Sequence, residues 1–92
     1  MGFMEPRSFY DVTEAEDRRE LAQWIKAGVF NYAVLIPEDL PKVEIVETFK
    51  MAGFNHVEID DSSWPRRIVV KTEGGSYIFR KIEEGVYKIE RS

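Results

Sequence analysis

The sequence predicts an α+β domain in which two helices pack on one face of a mainly antiparallel sheet. The sheet ends in a three-stranded C-terminal meander, and the element order is (β)-α-β-α-β-β-β-β. Three observations carry this reading. Two segments place apolar residues at helical spacing, and each ends on a glycine, Gly28 and Gly53. The C-terminal third instead runs in short alternating stretches broken by Gly74-Gly75 and Glu83-Glu84-Gly85. Finally, 92 residues have room for one core only. Residues 1–92 are therefore read as one domain: an N-terminal arm or edge strand over 1–12, an α-β-α-β half over 13–60, and a β-meander over 66–92.

Each element has its own local reason. Segment 7–12 is read as an edge strand. Thr13-Glu14-Ala15-Glu16 has the form of a capping box, with Thr13 accepting from the Glu16 amide, and the acidic residues of the first turn suit the helix dipole. Leu21, Trp24, Ile25 and Gly28 then fall at i, i+3, i+4 and i+7, and Val29 can pack back on Trp24 beyond a left-handed Gly28. Val29 to Ile36 is nearly continuous and apolar, which predicts a strand buried on both faces and stopped by Pro37. A second helix starts near Asp39 with Pro41 in its first turn. Its inward arc holds Ile45, Val46, Phe49, Ala52 and Gly53, and Glu44, Glu47 and Thr48 lie opposite.

Strands follow over about 56–60, 66–72, 76–82 and 86–91. Gly74-Gly75 makes a tight turn, and 83–85 a three-residue loop. The motif Lys26-Ala27-Gly28-Val29-Phe30-Asn31-Tyr32 echoes Lys50-Met51-Ala52-Gly53-Phe54-Asn55-His56. Two uses of one helix-ending device account for the echo without a duplication.

Composition narrows the function classes. With no cysteine and one histidine, neither a disulfide framework nor a thiolate metal site is available. No segment has the form of a signal peptide, and the longest apolar run, 28–36, falls far short of the ~20 residues of a membrane span. A cytoplasmic protein is the expectation. One Gln, two Asn and abundant Glu, Lys and Arg give a thermophile-like composition. Residues 1–60 carry 6 basic and 12 acidic groups, −6, and residues 61–92 carry 7 and 5, +2, which sum to the chain's −4. A polyanion partner would therefore have to use the C-terminal part.

No catalytic or cofactor motif emerges. Ser62 and Ser63 near His56 lie in no nucleophile elbow, and Gly74-Gly75 lacks the Lys-Ser/Thr of a phosphate loop. Four groups, His56, Glu58, Asp60 and Asp61, are the only candidates for a divalent ion and hence for a metal-dependent phosphodiesterase. A solvated acidic strand end accounts for the same residues. Trp64, beside Pro65 and the Arg66-Arg67 pair, reads as a lid over one end of the core or as an interface anchor.

The meander is more telling. With Ile68, Val70, Tyr77, Phe79, Tyr87 and Ile89 turned to the helices, the opposite face shows Arg67, Val69, Lys71, Ile78, Arg80, Ile82, Val86 and Lys88. This face is mixed basic and aliphatic, and a one-residue slip would exchange it with the core face. It predicts a protein-interaction module that self-associates there, with Glu14, Asp17 or Glu90 of the second copy meeting the arginines. Single-stranded nucleic acid on Arg67, Lys71, Arg80 and Lys88 ranks second, because the face lacks the aromatic residues such readers stack on.

Overall fold

The computed structural model describes residues 5–92, so residues 1–4 of the expected arm lie outside it. Helix α1 (Ala15–Ala27) starts as its acidic first turn requires, but not through a capping box. The Asp11 carboxylate accepts from both the backbone N–H and the hydroxyl of Thr13, at 2.9 and 2.7 Å, so the Thr13 oxygen is drawn away from the helix. Glu14 becomes the N-cap, with no side-chain cap bond. The far end follows the sequence reading: Gly28 takes φ 76°, its N–H donates to Ile25 O, and Val29 N–H donates to Trp24 O.

Strand β2 (Ala33–Leu35) is far shorter than the apolar run that announced it. Residues 29–32 are used to turn the chain back from the helix, and only Val34 of the strand is fully buried. The strand thus has one core face and one half-exposed face, a correction to the two-sided burial expected. Helix α2 (Lys42–Met51) buries Ile45 and Phe49 as its spacing predicts. Thr48, expected outside, is 1% exposed. Its hydroxyl donates to Glu44 O at 2.8 Å, which removes the cost of burying it. Gly53, at φ 108°, ends the turn, and Phe54 N–H donates to Phe49 O, bringing the two rings to 6.3 Å.

The sheet has six strands. These are β1 (Phe9–Asp11), β2, β3 (Val57–Asp60), β4 (Arg67–Thr72), β5 (Gly75–Glu83) and β6 (Val86–Arg91), in the spatial order β1-β2-β6-β5-β4-β3. Only β1 and β2 are parallel; the other neighbours are antiparallel. The α2 connection carries the chain from one side of the sheet to the far edge at β3, and the meander then fills the gap back to β2. Tyr10, Val34, Ile68, Val70, Tyr77, Phe79, Tyr87 and Ile89 form the inner face, each no more than 3% exposed, against Leu21, Ile25, Ile45 and Phe49. Burying a side chain such as Phe49 stabilises the fold by about 1.5–3 kcal/mol. Its ring also meets Tyr77 at 5.3 Å and Phe79 at 6.1 Å.

The second hairpin differs from the three-residue loop expected. Glu83 pairs with Val86, so Glu84 and Gly85 alone make the turn. The register shifts between Lys81 and Glu83, leaving Ile82 as the unpaired residue of a β-bulge.

Candidate functional site

No helix covers the second face of the sheet, and strand register decides which residues meet there. Arg67 pairs with Arg80, and Arg80 with Lys88. Lys88 pairs in turn with Ala33, and Ala33 with Phe9. Two residues further along, Asp60 pairs with Val69, Val69 with Ile78, and Ile78 with Glu90. The outer face is therefore ruled into rows: one of three cations ending in an exposed phenylalanine, the next of two aliphatic residues with an acid at each end. Val86 pairs with Leu35 in a further row, and Glu58 with Lys71 in another.

Three directly opposed cations run against the usual rule that like charges across a ladder destabilise it. Arg80 is relieved by Glu90, its diagonal neighbour, at 2.7 Å. Lys88 reaches only a long 3.4 Å contact with Phe30 O. Among the described residues Arg67 and Lys71 have no carboxylate partner within ion-pair distance.

Of the residues singled out in the sequence, Arg67, Val69, Lys71, Ile78, Arg80, Val86 and Lys88 do share this face. Ile82 belongs to the bulge at its margin and is 54% exposed. Trp64 is a lid: its indole stacks on Tyr87 at 5.2 Å with 12° between planes, and its N–H donates to Glu38 O at 3.0 Å. Two acids expected to meet the arginines are elsewhere. Glu14 and Asp17 belong to α1, on the opposite side of the sheet, and Asp17 is bonded to Arg7 and to the Asp11 N–H. Glu90 alone of the three lies on the outer face. Phe9, 52% exposed, supplies the aromatic residue that the face was expected to lack.

The four metal candidates do not converge. Asp60 accepts from the Ser62 hydroxyl and N–H, which hold its carboxyl below the usual range. Asp61 pairs with Lys42 at 2.8 Å, which lowers it likewise. Glu58 lies opposite Lys71, and the His56 backbone N–H donates to the Glu73 carboxylate. Among the described residues no three His, Cys, Asp or Glu side chains form a metal-sized group.

A groove of about 900 Å³ opens where β4 begins and β5 ends, between the 62–66 loop and the bulge. Its walls include Ser63, Trp64, Arg66, Arg67, Arg80 and Lys81. Arg66 and Lys81 were not among the residues picked from the sequence. Arg66 had a signal, its place beside Trp64. Lys81 had none, because strict alternation puts it on the inner side, where it pairs with Tyr87 at the strand end beside Trp64. No protein-family model, curated protein or solved structure matches this chain.

Proposed function

We propose that this protein is an interaction module that self-associates through the outer face of its sheet. The cationic row Arg67–Arg80–Lys88, set one step from the acid-flanked row Asp60–Val69–Ile78–Glu90, is the observation that carries the reading. The step is two residues, about 7 Å along the strands. A two-fold axis lying in the face, parallel to the rows and midway between them, sets each row of one copy over the other row of its mate. Lys88 then meets Glu90, Arg67 approaches Asp60, and the arginine stems cover Val69 and Ile78. One contact thus neutralises the opposed cations and removes the aliphatic residues from water. The same contact supplements a core that, in a chain of this length, buries only ~60–65% of the unfolded surface.

The test is the absolute mass in solution, by light scattering on a sizing column, for the wild type and for Ile78→Lys and Ile82→Lys. A wild-type dimer at low and moderate salt that Ile78→Lys converts to a folded monomer is the expected result. Ile82→Lys, at the margin, should weaken the dimer less. A wild-type monomer, or an Ile78→Lys variant that keeps the dimer mass, would overturn the reading.

A further inference from the structure

We infer that the groove between the 62–66 loop and the bulged end of β5 is a binding site for single-stranded nucleic acid, sharing Arg67 and Arg80 with the sheet face but set apart from it by Trp64, Arg66 and Lys81. The inference does not rest on self-association.

Two kinds of group that such a ligand needs meet here. The first is positive charge with no internal use. The groove wall carries Arg66, Arg67, Arg80 and Lys81 against one acid, Glu83, in a chain whose net charge is −4. Arg66 and Arg67, both exposed, have no carboxylate within ion-pair distance among the described residues. Arg80 and Lys81 are held only in exposed pairs, with Glu90 and Glu84. Such pairs contribute little to stability and exchange readily for phosphate. Arg67 and Arg80 are directly opposite across the ladder, so the fold roots two arginine side chains within about 5.5 Å of each other. Fixing like charges together is unfavourable until an anion lies between them.

The second group is a rigid aromatic platform. Trp64 borders the same groove, half-buried, with one ring face covered by Tyr87 and its N–H tied to Glu38 O. An indole anchored in this way loses little freedom when a base packs against it. Backbone phosphates on the arginines with a base against Trp64 is the usual division of work in single-strand binding. At about 900 Å³, open to solvent along its length, the groove suits a short stretch of strand better than a compact metabolite. A duplex would leave Trp64 without an exposed base to meet.

Arg67 and Arg80 also belong to the face assigned to self-association, so strand and second copy compete for them. The two readings separate by variant. Ile78→Lys acts on mass, whereas Arg66, outside the cationic row, acts on strand binding.

The test is fluorescence anisotropy of a labelled twelve-nucleotide oligothymidylate with the full chain. Binding should weaken about 50-fold between 50 and 200 mM salt if four cations contact phosphates, from a slope of about −0.7 per contact. The Arg66→Ala/Arg67→Ala variant should lose at least tenfold at 50 mM and show only about a sevenfold salt effect. Both arginines are exposed, and circular dichroism should find the variant folded. Lys71→Ala/Lys88→Ala, on the sheet face alone, should bind within about twofold of wild type. Trp64→Phe should weaken the oligonucleotide but not tripolyphosphate. No binding at 50 mM salt would overturn the inference, as would equal loss in the Lys71/Lys88 variant. Duplex or tripolyphosphate binding as tight as oligothymidylate would reduce the site to a general anion groove and overturn the assignment to single strands.

Discussion

Two tyrosines in edge-to-face contact, their ring centroids 5.4 Å apart, should respond to the same substitution with opposite signs. The Tyr10 hydroxyl donates to Glu20 Oε2 at 2.7 Å and accepts from Trp24 Nε1 and from the Arg7 N–H, both at 2.9 Å. Tyr10→Phe removes all three bonds, one of them to a carboxylate. Hydrogen bonds to charged groups contribute about 1.5–3 kcal/mol. Because Glu20 and Trp24 are only half-buried, water takes up part of the loss, and a net destabilisation of about 2 kcal/mol is expected. For a domain of this size that lowers Tm by about 10 °C.

Tyr32 is 2% exposed, and its hydroxyl has no hydrogen-bond partner. Burying a hydroxyl that way costs about 1–3 kcal/mol in proteins. Tyr32→Phe removes the cost and leaves a void of one oxygen, so a gain of about 1 kcal/mol, or a Tm rise of about 5 °C, is expected. Reversible thermal and guanidinium unfolding followed by circular dichroism measures both, with unchanged m-values as the check that only the folded state moved. Tyr32→Phe losing 1 kcal/mol or more would show that its hydroxyl holds a partner. A neutral Tyr10→Phe would show that the network adds nothing.

Other expectations follow from equally local features. Gly74→Ala would place a Cβ 2.6 Å from Phe54 Cε1 and force that ring off Tyr77 and Phe49, costing about 1–3 kcal/mol by denaturant unfolding. Gly85→Ala meets no atom within 4 Å and suffers only from its φ of 76°, about 1 kcal/mol, so the two glycines should rank in that order. Stability should fall as pH rises above about 10. Burial raises the phenols of Tyr10, Tyr32 and Tyr87 above their ordinary 10.0, so the unfolded chain releases those protons first, and Tyr32→Phe should soften that alkaline limb. The acid limb has the opposite sign. Burial works to raise Asp17, but the Asp11 N–H and Arg7 outweigh it and hold the carboxyl below 3.8, so its contribution is present above that pH and lost below it. Asp17→Asn should flatten that limb in a pH series of Tm values.

Helix ends and meander faces were legible because they rest on short-range rules. A glycine with φ > 0 closes a helix within four residues, and alternation fixes which side of a strand meets the core. The failures are equally specific. The capping box failed at Thr13 because Asp11, two residues away, was a stronger partner for its hydroxyl. The Val29–Ile36 run overstated its strand because an apolar stretch fits a turn packed on a core as well as a ladder. Thr48 looked solvent-facing because its polarity counts outward in any pattern, whereas its hydroxyl can bond back to Glu44 O and be buried.

For this protein the sequence by itself determined the class, the element order and the inner face of the meander, since each follows from periodicity within a dozen residues. Only the tertiary structure decided that β6 lies between β2 and β5, which carries the row Arg67–Arg80–Lys88 on through Ala33 to Phe9. The tertiary structure also decided that Lys81, paired with Tyr87 just before the bulge at Ile82, borders the groove beside Arg66 and Trp64. Pairing partners and bulges are chosen by the competition of whole strands for one another, so no local run of residues contains them.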